Sequence, residues 1–254
     1  MKIKITKSDG TGNNFIIIYD NINHKLIKSQ IQDICNQFQT DGLLLISDYK
    51  NYDYKLDYFN NDGSWETMCA NGSRCAALFM FQKKRVNQNI LFIAGDGAHK
   101  IQIYNQNNIK LSMRQPLFKS DEIISCQYKG RYVDSGAKHF ATIADISEQE
   151  VKIVGKKIRN DKQFPDGINA NFMKIIDSQH IKVSTYEKGI EDMVLSCGSG
   201  SVAAAFYAFQ NKKIKSPVKI SVPGGKLKLT FNDKWDKVWL SGPARLYPET
   251  IWTL

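Results

Sequence analysis

Two thirteen-residue segments hold the residues whose types and spacing could do chemistry. Cys69-Ala-Asn-Gly-Ser-Arg-Cys-Ala-Ala-Leu-Phe-Met-Phe81 and Cys197-Gly-Ser-Gly-Ser-Val-Ala-Ala-Ala-Phe-Tyr-Ala-Phe209 align without a gap, and Cys, Gly, Ser, Ala, Ala and Phe coincide. The offset is 128 positions, about half of the 254-residue chain, and Tyr58 and Tyr186 coincide at it as well. A repeat of this length predicts two related halves, each contributing one equivalent cysteine. A cysteine taken singly is most often a small buried hydrophobe. Two at equivalent repeat positions point instead to a shared task. A thiol with an ordinary pKa of about 8.5, lowered at a helix N-terminus, can remove a weakly acidic proton as thiolate while a second thiol supplies one. Such a pair on the two faces of an amino acid's α-carbon would invert that carbon without a cofactor.

The elements that must position the two cysteines follow from the same segments. Each opens with small, polar and glycine residues and continues as an alanine- and aromatic-rich run of high helix propensity, so each reads as a turn entering a helix. The cysteine then sits at or just before the first helical turn, where N–H groups lack intrahelical partners and the helix dipole is positive. Those N–H groups could also bind a substrate carboxylate and stabilise charge developing on it. Alternation elsewhere predicts many short strands, as at Ile3/Ile5, Tyr54/Leu56/Tyr58, Ile101/Ile103, Ile109/Leu111/Met113, Ile181/Val183 and Leu227/Leu229/Phe231. Amphipathic helices are expected at about 28–38 and 148–159. There is no regular βαβ rhythm, and Gly10-Thr-Gly12-Asn-Asn-Phe15 lacks the third glycine of a dinucleotide loop.

Composition narrows the function classes. Hydrophobic residues at 42% and charged ones at 24% are ordinary for a globular protein with one large or two small domains. No stretch approaches the roughly 18 apolar residues of a membrane span, and the first residues carry no signal-peptide core, so a cytoplasmic protein with no membrane partner is expected. The five cysteines follow no disulfide or zinc spacing, and the four histidines lie far from one another and from cysteine, so no metal is expected. Cys75 pairs in the repeat with Ala203, which argues for a packing role; Cys35 and Cys126 carry no motif. No motif specifies a pyridoxal-phosphate lysine, and no cofactor is expected. The net charge of +10 raises nucleic-acid binding as a rival reading. The basic residues are scattered in short groups such as Lys83-Lys84-Arg85, Lys156-Lys157 and Lys212-Lys213, so no nucleic-acid partner is expected; the charge favours small anionic substrates such as carboxylates.

Five ordered motifs, spread over essentially the whole chain, resemble those of the diaminopimelate epimerase family. The family's G-x-G-N-D-F is similar to Gly10-Thr-Gly12-Asn13-Asn14-Phe15, its N-x-D-G-S to Asn60-Asn61-Asp62-Gly63-Ser64, and its C-G-N-G-x-R to Cys69-Ala70-Asn71-Gly72-Ser73-Arg74. The late Y-E-R-G and C-G-T-G resemble Tyr186-Glu187-Lys188-Gly189 and Cys197-Gly198-Ser199-Gly200. The resemblance implies an α/β (α+β) fold of two pseudo-symmetric domains, each a curved mixed or antiparallel sheet wrapped around a central helix. The first would span 1–114 with a returning tail at 243–254, and the second 115–242. It implies conversion of LL-diaminopimelate to the meso form in lysine and peptidoglycan synthesis, with the substrate in the cleft between domains and a homodimer as the usual assembly.

Carried over by motif, Cys69 and Cys197 are the acid–base pair. Backbone amides around Ala70, Asn71, Gly198 and Ser199 would hold the reacting carboxylate, and Asn13, Asn60, Asn169, Glu187 and Lys188 would bind other polar groups of the substrate. His139 and Glu187 match family residues beside the reacting centre. Four departures stand out. Ala70 replaces a glycine, which restricts the backbone unless φ stays negative. Asn14 replaces an aspartate, and Gly136-Ala137-Lys138-His139 stands where the family has G-N-P-H. Lys188 replaces an arginine whose fork can grip a carboxylate at two points. Two of these fall where the family reads the distal end of its substrate, so an epimerase or racemase for another amino acid on the same scaffold is the alternative reading. Isomerases of the phenazine-biosynthesis type share the architecture, but the two cysteines argue against them.

Overall fold

The computed structural model describes residues 2–19 and 26–253, with four helices among them, two amphipathic and two buried on every side. These are α1 (Lys28–Phe38), α2 (Ala70–Gln82), α3 (Glu148–Arg159) and α4 (Gly198–Gln210). Helix α3 shows why such a segment folds locally. Ser147 accepts from Glu150 N–H while the Glu150 carboxylate takes Ser147 N–H, a reciprocal cap. Acidic Glu148 and Glu150 then occupy the positive end of the helix, and Lys156, Lys157 and Arg159 its negative end. Helices α2 and α4 have no polar face; buried residues surround them on every side, as expected of central helices.

Contacts divide the chain into two compact units, Met1–Ser112 with Ser241–Leu254, and Met113–Leu240. In the first, strand Lys2–Gly10 pairs antiparallel with both Arg245–Thr253 and Asn13–Tyr19. Asn13–Tyr19 runs parallel to Gly42–Ser47, which pairs antiparallel with Tyr54–Asn60; that strand runs parallel to Asn89–Ala94. Gly97–Asn105 and Asn108–Met113 complete the mixed sheet. One face carries α1 over a core of Ile16, Ile18, Ile31, Ile34, Cys35 and Leu43. The other face carries α2.

The second unit repeats this order. Tyr128–Asp134 pairs antiparallel with Lys138–Ile143, which runs parallel to Asn169–Asp177. Asn169–Asp177 pairs antiparallel with His180–Glu187, itself parallel to Val218–Val222, and Gly225–Phe231 follows. Helix α3 packs through Val151 and Ile158 onto Phe140, Ala170, Phe172 and Tyr186, and α4 packs on the opposite face. The architecture is mixed α/β in both units.

The sheet register corrects one alignment made on the sequence. Within the first unit Phe15 lies beside Gly42 and Gly42 beside Asn60; in the second His139 lies beside Asn169 and Ala170 beside Tyr186. Phe15, Leu44, Tyr58 and Asn60 therefore occupy the places of His139, Asn171, Thr185 and Glu187. The tyrosines at the 128-residue offset are not equivalent: Tyr58 faces α2, whereas Tyr186 packs under α3. Strands Gly42–Ser47 and Tyr54–Asn60 are offset from their counterparts by one residue less than the helices, and a one-residue change moves a side chain to the other face of a sheet.

Candidate active site

Each cysteine is the N-cap of its central helix. Cys69 has φ −122° and ψ 118°, and Cys197 φ −126° and ψ 113°. This extended conformation turns the sulfur back over the first helical turn, where it accepts a backbone N–H. Gly72 N–H donates to Cys69 Sγ at 3.5 Å and Gly200 N–H to Cys197 Sγ at 3.4 Å. Serine is the usual residue at such a cap; here the serines stand four positions later, and Ser73 and Ser201 donate from Oγ to the cysteine carbonyls at 2.9 and 2.8 Å. The glycines at the third helical position are required by close approach. A Cβ at Gly72 would lie 2.7 Å from Leu44 Cδ2, and one at Gly200 2.3 Å from Asn171 Oδ1. By contrast, Ala70 and Gly198 both begin their helices without a positive φ, so the alanine is accommodated. Both cysteines are half-buried.

Around Cys69 the sequence-predicted residues Asn13, Asn60, Ala70 and Asn71 collect at one end of the first sheet. Asn71 Nδ2 donates to Asn13 Oδ1 at 2.5 Å, and Asn13 Nδ2 donates to Asp41 Oδ2 at 3.3 Å. Asp41 also receives Asn14 N–H at 2.8 Å. Asn60 accepts from the Tyr58 hydroxyl at 2.7 Å and donates to Ser64 Oγ at 3.1 Å, which ties it to the Asn60–Ser64 turn. Cys75 is wholly buried one and a half turns further on; burial pushes its thiol up to about 12, which leaves it inert.

In the second unit Gly198 and Ser199 form the first turn after Cys197, and His139, Asn169, Glu187 and Lys188 lie at or beside the ends of three paired strands. Lys188 N–H donates to Asn169 Oδ1 at 2.8 Å, and the Lys188 ammonium donates to Asp166 O at 2.7 Å. His139 is fully buried, and burial pushes its pKa down to about 3 although Asp134 and Asn171 favour the charged form. The ring is therefore neutral near pH 7, and its surroundings fix the tautomer. Asn171 Nδ2 faces the carbonyls of Phe140 (3.1 Å) and Asn169 (3.3 Å), while its Oδ1 accepts from Thr185 Oγ1 at 2.9 Å. The amide nitrogen is thus also the atom 3.0 Å from His139 Nδ1, which accepts. Nε2 then carries the proton and donates to Ser199 Oγ at 2.9 Å. That leaves the Ser199 hydroxyl proton to point at Cys197 Sγ, 3.6 Å away. Ser135 Oγ holds the Ser199 carbonyl at 2.8 Å.

Asn171, Ser135, Asp41 and Arg74 went unassigned on the sequence. Two of them had a readable signal. Asn171 shares a strand face with Asn169, two residues before it, and Arg74 is the one charged residue of α2. Among the described residues, no group of three or more His, Cys, Asp or Glu could hold a metal ion, and no helix is long and apolar enough to cross a membrane.

Similarity to known proteins follows both units. Residues 5–118 and 131–247 match the family model described as diaminopimelate epimerase. The chain is 34% identical over 254 residues to the diaminopimelate epimerase of Chlorobaculum tepidum, covering 95% of this chain and 98% of that one. It is 34% identical over 259 residues to the diaminopimelate epimerase of Flavobacterium psychrophilum, covering 98% and 99%. Among solved structures, a phenazine biosynthesis protein of the PhzF family from Bacillus anthracis superposes with a TM-score of 0.79 over 100% of both chains at 12% identity, a likeness of fold alone. A family model that matches both halves, together with relatives at this identity over nearly the full length, shows that this chain is an isomerase belonging to the diaminopimelate epimerase family.

Proposed function

We infer that the protein interconverts LL- and meso-diaminopimelate, without a cofactor, by proton transfer at the α-carbon between Cys69 and Cys197. The observation that carries this reading is the duplicated cap: two cysteines of one family motif set, each the N-cap of a buried helix with the same dihedral angles and the same Sγ acceptor bond. In the forward direction one thiolate takes the α-proton and becomes a thiol, and the electron pair left on carbon spreads into the substrate carboxylate. The other thiol gives its proton to the opposite face and becomes the thiolate. Reversal exchanges the roles, so the enzyme ends each turnover in the complementary protonation state.

The α-proton is a very weak acid, and the barrier falls only if the developing carboxylate charge is held. First-turn N–H groups at Ala70, Asn71, Gly198 and Ser199 are suited to that, because they lack intrahelical acceptors at the positive helix ends. Acid–base help of this kind contributes about 10²–10⁴-fold, so the remainder must come from positioning and electrostatics. Asn13, Asn60, Asn169, Glu187 and Lys188 are the proposed binders of the substrate's other polar groups, and the neutral His139 acts on Cys197 through Ser199.

A second reading, epimerisation of a different amino acid, is favoured by one observation. The Lys188 ammonium is engaged with Asp166 O, and Lys138 pairs with the same residue's carboxylate at 2.6 Å. One experiment separates the two. Purified protein is incubated in deuterium oxide with LL-diaminopimelate and, in parallel, with a panel of other amino acids. Meso product carrying α-deuterium from diaminopimelate alone is expected. Exchange into a different amino acid, with none into diaminopimelate, would replace the first reading with the second.

A further inference from the structure

Arg74 is the fifth residue of α2, and none of its surface reaches solvent. Its guanidinium makes four hydrogen bonds, all to neutral oxygens. Nη2 donates to Thr11 Oγ1 at 2.9 Å and to Asn71 Oδ1 at 2.8 Å, Nη1 to Ala70 O at 3.3 Å, and Nε to Pro243 O at 3.3 Å. None of these acceptors is a carboxylate. Burying a cation in this way is costly, and packing alone does not demand it. The internal repeat makes the point directly. The position equivalent to Arg74 in α4 is Val202, also fully buried, so the fold accepts an aliphatic side chain there.

What Arg74 touches is the first turn after Cys69. Arginine can only donate and an ionised aspartate can only accept, so a chain strung between them has one direction. Arg74 donates to Asn71 Oδ1, Asn71 Nδ2 donates to Asn13 Oδ1, and Asn13 Nδ2 donates to Asp41 Oδ2. The two amides are thereby locked in a single orientation. Asn71 follows Cys69 by two residues, and Asn13 opens the strand Asn13–Tyr19, next to the turn that carries Thr11. The titratable groups that feel the arginine's charge are the thiols of Cys75 and Cys69 on its own helix and Asp9 on strand Lys2–Gly10.

We propose that Arg74 is the positioning residue of the Cys69 half: through Asn71 it fixes the amide of Asn13, and its charge keeps the start of α2 fit to hold an anion. It does not touch the reacting atoms. This inference rests on the assignment of Cys69 and Asn13 to the site, and the test keeps the two apart. Arg74→Met, Arg74→Lys, Asn71→Ala and the Arg74→Met/Asn71→Ala double variant are compared with the wild type for kcat/KM on LL-diaminopimelate. Alkylation of Cys69 and Cys197 by iodoacetamide is followed in each protein by peptide mass spectrometry, with Cys197 as the internal standard.

Arg74→Met should lower kcat/KM about 100-fold, the order of loss from a misplaced site group. The double variant should be no worse than the poorer single one, because one pathway is being cut twice. Cys69 alkylation should slow at least about threefold relative to Cys197 in Arg74→Met and recover in Arg74→Lys, which restores the charge but not the fork. For the same reason Arg74→Lys should remain about 10-fold down in kcat/KM. An unchanged Cys69-to-Cys197 alkylation ratio in Arg74→Met, multiplicative losses in the double variant, or wild-type kcat/KM in Arg74→Lys would each overturn the proposal. A wild type inert on LL-diaminopimelate counts against the function, and the alkylation ratio then decides this inference. Should Arg74→Met not fold, Arg74→Gln takes its place with the same expectations.

Discussion

The two cysteine caps share a main chain and differ in what lies beneath it. Their φ and ψ values agree within 5°, and both sulfurs accept the N–H of the glycine three residues on. Below Gly72 the sheet presents Leu44, with Phe15 and Tyr58 beside it in edge contact. Below Gly200, in the same register, stand Asn171, His139 and Thr185. The apolar floor is accompanied by a polar helix residue, Arg74, and the polar floor by an apolar one, Val202. Duplication thus preserves the geometry of the thiol, while each half orders its cap by a different polar network. One runs from a cation through two amides to a carboxylate; the other runs from an amide through a neutral imidazole to a hydroxyl. Equivalent cysteines in unlike surroundings suit a reaction whose two directions begin on different stereoisomers.

The hardest way to break the comparison is to remove one member. Cys69→Ala and Cys197→Ala should each lower epimerisation by about 10³-fold or more, because no second acid–base group remains on the affected face. Cys75→Ala should stay within about twofold, its buried thiol being packing. Product formation from LL-diaminopimelate, measured by chiral chromatography, checks all three; full turnover by either of the first two would end the two-base scheme.

A smaller effect separates the supports. Ser199→Ala deletes the hydroxyl that lies between His139 and Cys197 and should cost about 10-fold in kcat/KM. It should slow iodoacetamide at Cys197 and leave Cys69 at the wild-type rate. Equal slowing of both cysteines would mean that the networks are not separate.

The smallest effect is on stability and carries a sign. His139 in the folded protein titrates near 3, far below the ordinary histidine value of about 6.5, so between those values the unfolded chain binds the extra proton. Its contribution to stability is therefore fully present above about pH 6.5 and is lost as pH falls, by about 1.4 kcal/mol per pH unit for one proton. His139→Gln should flatten the fall of Tm between about pH 6 and 4, measured by thermal melting. An unchanged slope would show that the ring does not resist protonation as its burial implies.

Much of this arrangement was legible in the residues. Helices α1 and α3 occupy the stretches where amphipathic periodicity put them, and each alternating apolar pair from Ile3/Ile5 to Leu227/Leu229 lies in a strand. The caps were legible because a cap is local: a cysteine, a glycine three residues later and a serine four residues later specify it within one turn. Asn171 and Arg74 were harder to assign because their partners are distant in sequence. Arg74 reaches Thr11 across 63 residues and Pro243 across 169, and no periodicity encodes such pairings.

By itself, then, the sequence determined the duplication, the elements and the two cysteine-headed helices, since each depends on neighbours within a few positions. The tertiary structure decided which side chains lie under each helix. Strand register sets that, and a single residue of slip sends Tyr186 under α3 while Tyr58 faces α2. The tautomer of His139 and the direction of the Arg74–Asp41 chain belong to the same class. Each follows from donors and acceptors that only folding brings within hydrogen-bond distance.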